Sequence, residues 1–308
     1  MTKSELLLAG LGLPGRDVGD LAPSGKRFPD AAQVRVEIPS VEGPAAMASV
    51  IAAAAESGTP IHRVSQGSGI WMLDDAEIQE MLSIGAASGV EVCLFVGPRA
   101  GWDIGRQTLS SSGAAIGASL RGADQLAYGM EDVIRACELG LRSVLVADLG
   151  QLMVLGRLKR EGGLPADLQL KVSVSLAIGN PATARVMEDL GATSLNLPVD
   201  LPVAAIATIR QAVDVPLDIY IEAPDDFGGG MRYHDIPDLA RTASPLYLKF
   251  AVRNAAHTYP SGGHLDSLVR SLSIERVRRA ALGIALLRRQ APDVIVSGDA
   301  SSVPGAAM

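Results

Sequence analysis

Eight times between Gln33 and Gln290 the sequence repeats one unit: a short extended run, a helical run, then glycine or proline. The extended runs are Gln33 to Pro39, Ile61 to Gln66, Val90 to Val96, Ser143 to Ala147, Lys171 to Leu176, Thr193 to Leu197, Leu217 to Glu222 and Leu246 to Ala251. Helical runs separate them, among them Pro44 to Glu56, a run that opens at Asp74-Asp75 and stops at Gly89, Asp124 to Leu139, Pro181 to Leu190 and Val203 to Ala212; Ile274 to Gln290 closes the series. Strands alternating with helices imply parallel strands joined by crossovers. In an open sheet covered on both faces, central strands read as unbroken apolar runs. Here many strands keep a polar face. Arg35 and Glu37 oppose Val34, Val36 and Ile38; Asp218, Tyr220 and Glu222 oppose Leu217, Ile219 and Ile221; Tyr247 and Lys249 oppose Leu246, Leu248 and Phe250. A closed ring accounts for that pattern, because its inner face converges on a mouth. The fold expected is therefore α/β, a single (β/α)8 TIM-like barrel, with a doubly wound sheet as the alternative.

The organisation follows from the same pattern. Residues 1–32, rich in glycine, proline and charge, form a lead-in or a cap; 33–291 form the barrel; 292–308 form a flexible tail. The polar stretch from Gly97 to about Gly122 exceeds an ordinary connection, which predicts a lid or an extra helix after the third strand. Hydrophobic residues make up 48% of the 308 and aromatics only 4%, so alanine, leucine, valine and isoleucine must fill the core. A net charge of −7 without a long basic run argues against nucleic acid and anionic membranes as partners. Leu6-Leu7-Leu8-Ala9 is too short for a signal segment, and no apolar run is long enough to span a bilayer. Cys93 and Cys137, both in apolar patterns, read as reduced core thiols, which suits the cytoplasm. Two cysteines cannot supply the ligands of an iron–sulfur cluster, so none is expected.

If the barrel holds, the carboxyl ends of its strands form the mouth, where barrel enzymes keep their chemistry. That places Glu37, Gln66, Arg99, Asp148, Ser175, Asn196, Glu222, Lys249, Arg253 and Asn254 around one opening. Glu222 and Asp148, with Glu37, are candidates for acid and base work once a shared site splits their pKa values. Lys249 is placed either to form a Schiff base with a carbonyl substrate or to clamp a carboxylate or enolate. Arg35, Lys171 and Asp218 lie deeper and read as an internal ion-pair network, Arg35 with Glu37 and Lys171 or Lys249 with Asp218. Arg99, Trp102 and Arg106 in the long third loop suit an anionic or planar organic substrate, with Arg253 after the last strand. His257 and His264 share the last loop at a spacing that matches no metal motif; with Glu222 or Asp148 they are a possible divalent-metal set, and otherwise they are surface-loop histidines or, His257 above all, substrate contacts. Gly228-Gly229-Gly230 reads as a hinge or as room for a ligand.

Several short motifs, in order, resemble the collagenase-like peptidase family U32. They are Val96-Gly97-Pro98-Arg99 with Trp102-Asp103, Val146-Ala147-Asp148-Leu149-Gly150, Lys171-Val172-Ser173-Val174-Ser175, Leu190-Gly191-Ala192, Ser194-Leu195-Asn196-Leu197, Leu217-Asp218-Ile219-Tyr220-Ile221 and Phe227-Gly228-Gly229. The resemblance runs over roughly residues 33–290. It implies a TIM-like barrel and carries the label of peptidase. Members with cysteine-bound iron–sulfur clusters perform hydroxylations, and this chain lacks that cysteine set. The expected function is an enzyme acting on a small polar, carboxylate-bearing metabolite at the mouth, by hydrolase or lyase/isomerase chemistry. A metal-dependent peptidase and a non-catalytic binding or partner subunit are the alternatives. Alanine-rich helices leave flat apolar faces that would suit a homo-oligomer.

Overall fold

The computed structural model of the chain describes residues 3–15, 20–103, 105–110 and 117–299. Within them the strands are β1 Val34–Pro39, β2 Arg63–Ser65, β3 Glu91–Phe95, β4 Ser143–Val146, β5 Gln169–Val172, β6 Ser194–Asn196, β7 Leu217–Glu222 and β8 Leu246–Phe250. Each pairs in parallel with the next, and β8 pairs with β1, so the ring is a closed eight-stranded (β/α)8 barrel. The helices are α1 Lys3–Gly10, α2 Pro44–Ser57, α3 Asp75–Ser88, α4 Gly122–Glu138, α5 Leu149–Glu161, α6 Pro181–Asp189, α7 Val203–Ala212, α8 Ile236–Thr242 and α9 Asp266–Gln290.

Local chemistry sets these boundaries. Asp74 and Glu77 form a reciprocal capping box at the start of α3, and Gly89 ends it in the left-handed conformation. Asn180 caps α6, with Pro181 in its first turn. The last helix begins at Asp266 rather than Ile274. Its first turns carry three serines, weak helix formers, and tertiary packing of Val269 and Ser273 holds them helical. Among its described residues, the segment after β3 holds single turns at Ala100–Trp102 and Arg106–Leu109.

Outward strand residues such as Val36, Ile38, Val64, Leu94, Val144, Leu170, Leu195, Ile219 and Leu248 pack with the helices as one continuous core. Inside the ring, Cys93, Phe95, Leu145 and Ala147 of the β3–β4 side form an apolar wall with Ala118. The rest of the interior is polar and charged.

The amino-terminal end of the barrel is closed by chain from both termini. Phe28 and Ala32 pack on Tyr247 together with Ile295. Val296 bridges to Val34, and the Ser297 amide donates to the Val34 carbonyl at 3.0 Å. His62 accepts from the Val36 amide at 2.9 Å and reaches the Ser297 carbonyl at 2.9 Å. Within the stretch expected as a tail, residues 295–297 thus pair with the start of β1. The end of that expected tail, 300–308, lies outside the described residues. Near this end a cavity of about 390 Å³ opens between β3, β4 and β5, lined by Glu91, Ser143 and Gln169. It is at the end opposite the strand carboxyl termini, where barrel chemistry does not sit.

Candidate functional site

The charged interior is a wheel of ion pairs spanning the ring. Glu37 on β1 meets Lys171 on β5, across the barrel. It also meets Arg63 on β2 at 3.2 Å and Lys249 on β8 at 3.4 Å, and accepts from Ser65 Oγ at 2.7 Å. Asp218 on β7 meets Arg63 at 3.0 Å and Lys171 at 3.5 Å, and accepts from Ser194 at 2.9 Å. Arg63 completes its set with Glu91 at 2.9 Å and lies 3.7 Å over the Tyr247 ring. Glu37, Asp218, Lys171 and Lys249 are at most 1% exposed. Burial alone pushes the Glu37 carboxyl up, but the charges of Lys171, Lys249 and Arg63 outweigh it and hold it well below the usual carboxylate range.

Parity puts these groups inside. Glu37 pairs with Lys249 and with Arg63 in the strand registers, and Tyr220 pairs with Lys249. Arg63, which the sequence reading passed over, shares inward parity with Ser65 and is the hub that ties Glu37 to Asp218. Arg35, expected to pair with Glu37, instead reaches Asp30 at 3.4 Å at the closed end.

Lys249 stands at the mouth side of the wheel. Its Nζ lies 4.2 Å over the Tyr220 ring; with the Asn196 amide turned to the orientation that satisfies both its ends, Nζ donates to Asn196 Oδ1 at 2.8 Å and the amide nitrogen donates to the Asp218 carbonyl at 3.2 Å. Above it, Tyr220, Ala223 and Ala251 pack with Val174 and Val199. Phe227 stacks on Tyr220 at 6.3 Å. The loops after β7 and β8 are tied together across this cover: Arg253 pairs with Asp225 at 3.0 Å, and His257 meets Asp226 at 3.0 Å.

Glu222 is not in this group. The β7–β8 register slips by one residue between Tyr220 and Glu222, a bulge that sets Glu222 opposite Phe250, an outward residue. Its carboxylate accepts from Tyr233 Oη at 2.8 Å and the Arg253 amide at 3.0 Å, and faces Arg279 of α9 at 3.7 Å. Asp148 also stands apart. It caps α5 by accepting from the Gln151 amide at 2.9 Å, and its other oxygen accepts from the Leu120 amide at 3.1 Å. Both carboxylates are held by structural partners, so the structure does not assemble them with Lys249 as acid and base.

Of the expected binding residues, Asn196 touches Lys249. Gln66, buried, binds both backbone polar groups of Gly69 and shapes the turn after β2. Ser175 meets Ser173 Oγ, at 3.2 Å from hydroxyl to hydroxyl. Trp102 is exposed, edge-on to Trp71 at 6.4 Å. The Arg99 guanidinium is sandwiched by aromatics, 3.8 Å over Phe95 and 4.8 Å from Trp102. The side chain of Arg106 lies outside what the structure describes. Among the described residues no three His, Cys, Asp or Glu side chains converge as a metal site would require, and His257 and His264 are not joined to Glu222 or Asp148. The residues present therefore do not fit the divalent metal that the sequence left open. Also among the described residues, no helix is long and apolar enough to cross a membrane.

The barrel resembles solved structures at low identity. A protein from Coccidioides immitis assigned as a fructose-1,6-bisphosphate aldolase is 11% identical, with 82% of this chain and 92% of that chain covered and a TM-score of 0.51; the two share a fold. A structure described as the U32 peptidase Mk0906 is 15% identical, with 75% of this chain and 97% of that chain covered and a TM-score of 0.43. A truncated 3-deoxy-D-arabino-heptulosonate 7-phosphate synthase from Thermotoga maritima is 14% identical, with 91% and 94% covered and a TM-score of 0.46. No curated protein matches the chain. The family model described as Peptidase family U32 matches residues 120–223, which run from the start of α4 to the end of β7. Over that segment, about a third of its length, the chain is similar to peptidase family U32.

Proposed function

We propose that the chain is a barrel enzyme that takes a small carboxylate-bearing carbonyl compound at its mouth and reacts with it through Lys249, in lyase or isomerase chemistry. The observation that carries the reading is the pairing of the buried cations. Lys171 shares Glu37 and Asp218, and Arg63 shares Glu37, Asp218 and Glu91. Lys249 has only the longer contact to Glu37, at 3.4 Å, and is otherwise held by an amide oxygen and an aromatic face. Of the three cations of the wheel, it stands at the mouth side and has the least carboxylate around it. A lysine amine placed at a barrel mouth is a nucleophile for carbonyl carbon. The neutral amine adds to the carbonyl carbon, the carbonyl oxygen leaves as water after gaining two protons, and an iminium bond to Nζ remains. Asn196 and Glu37 orient the amine, and Tyr220 screens it from bulk water.

The test is reductive trapping. The protein is incubated with pyruvate, glyoxylate or a longer 2-oxo acid and cyanoborohydride, then mapped by peptide mass spectrometry. The expected result is one adduct on Lys249, absent from Lys249→Met. No adduct with any of these acids, or equal labelling of Lys249→Met, overturns the Schiff-base reading. The family match supports a second reading, hydrolysis of a peptide bond. Cleavage of unstructured peptides that survives Lys249→Met would favour it.

A further inference from the structure

Among the described residues, Arg276 and Arg99 at the mouth form no ion pair with a carboxylate. Arg276 comes from α9, is 4% exposed, and points its Nη1 at the Ser40 carbonyl at 3.0 Å. Arg99 donates through Nη2 to the Gly67 carbonyl. The Nε of each is buried without a hydrogen-bond partner. Tyr259 joins them. Its hydroxyl meets Ser40 Oγ, beside Arg276, and its ring centre lies 5.7 Å from the Arg99 guanidinium. A Cβ on Gly67 would come within 2.4 Å of that ring, so the turn after β2 is pressed against Tyr259.

One carboxylate acts on both arginines, Glu42, and it is engaged elsewhere. It accepts from the Gly67 amide at 2.8 Å, the Ser68 amide at 3.0 Å and Ser68 Oγ at 2.5 Å. Burial outweighs those bonds and pushes its carboxyl up. Burying a guanidinium without a counter-charge is costly, and a bound anion offsets that cost. Arg276 also acts electrostatically on Tyr220, whose ring lies 4.2 Å from Lys249 Nζ. Tyr220 is therefore a ring that both Arg276 and the candidate nucleophile act on.

We infer that Arg276 and Arg99 form an oxyanion-receiving pair that holds the carboxylate or phosphate of the substrate. This deepens the Lys249 reading by naming the substrate class, a carbonyl compound with an oxyanion group close to the carbonyl. The planar fork of each arginine suits either anion.

The probes are inorganic phosphate and pyruvate, each titrated at fixed ionic strength against chloride while the unfolding midpoint is followed. Wild type is expected to gain stability saturably with at least one probe. Arg276→Gln and Arg99→Gln should each weaken the apparent Kd at least tenfold, whereas Lys249→Met keeps the response to phosphate. A response to phosphate alone assigns the pair to a phosphate group, and a response to pyruvate alone assigns it to a carboxylate. No saturable response in wild type, or an unchanged Kd in Arg276→Gln, overturns the inference. If Arg276→Gln does not fold, Arg276→Lys serves, and an unchanged Kd there overturns it too. Trapping on Lys249 is measured separately, so a failed adduct with intact anion binding sinks only the nucleophile, and the reverse result sinks only the arginine pair.

Discussion

Replacing Glu37 by glutamine should unbalance the centre of the barrel. The side chain keeps its shape, but Lys171 and Arg63 then share Asp218, Lys249 loses its contact to Glu37, and Arg63 alone of the three keeps a further carboxylate, Glu91. Removing one partner of a buried ion pair costs about 3–5 kcal/mol, because the remaining charge stays desolvated. At roughly 2 °C per kcal/mol for a chain of this size, Tm should fall by roughly 6–10 °C. Glu37→Gln/Lys171→Met removes one charge of each sign. Its loss should be smaller than the sum of the single losses by about 1–3 kcal/mol, the range for residues in one network. The assay is a double-mutant cycle in urea followed by far-ultraviolet circular dichroism. Acid supplies an independent check. Because the folded carboxyl lies below its ordinary value of 4.5, its contribution is complete above that pH and drains away as pH falls toward the folded value. Wild type should therefore lose stability below about pH 4.5 more steeply than Glu37→Gln. A single mutant within about 1 kcal/mol of wild type, or a double mutant that costs the full sum, would refute the wheel.

Other consequences are simpler. Asp148→Ala removes the cap of α5 and the acceptor for Leu120, and should cost about 1–2 kcal/mol in chemical denaturation while leaving trapping at Lys249 unchanged. Gly156→Ala should destabilise severely, by about 3 kcal/mol or more, since its Cβ would sit 1.9 Å from the Leu190 carbonyl oxygen between α5 and α6. Burial raises the Asp132 carboxyl to about 6, so its ionised form is disfavoured in the fold and stability from this group drops as pH rises through that value. Asp132→Asn should then stabilise the protein at pH 8 by about 1 kcal/mol, allowing for partial exposure, and change nothing at pH 3.5, as read by urea titration. Cys93, its thiol pushed up to about 12 by burial, should resist iodoacetamide in the native protein and react after unfolding.

The barrel was legible because strand parity is written in the sequence. Glu37, Asp218, Tyr220 and Lys249 alternate with aliphatic residues, and each faces inward as that alternation implies. Glu222 carries the same alternation and yet leaves the interior. A one-residue bulge is a property of the pairing with β8, and the Leu217–Glu222 run contains no trace of it. Asp148 was ambiguous for a different reason: an aspartate before a helical run serves equally as a cap or as an acid, and only its bond to Gln151 decides. Arg63 was readable from its parity with Ser65 but sat in a strand of three residues, too short to show a pattern. Arg276 had a signal as well. It shares the buried stripe of α9 with Val269, Ser273 and Ala280, so it is a charge on an apolar face. Where that charge points depends on how α9 docks against the end of β1, which no local pattern encodes.

The ion pairs inside the ring also bear on how the molecule assembles. Glu37 and Arg63 belong to the first four strands; Lys171, Asp218 and Lys249 belong to the last four. Three of the contacts, Glu37 with Lys171, Glu37 with Lys249 and Arg63 with Asp218, cross between the halves. Either half alone would present charges whose partners lie in the other. The barrel is therefore not two stable half-barrels docked together but a unit whose closure and charge balance arrive in the same step, and cutting the chain between β4 and β5 should leave two fragments that fold only in each other's presence.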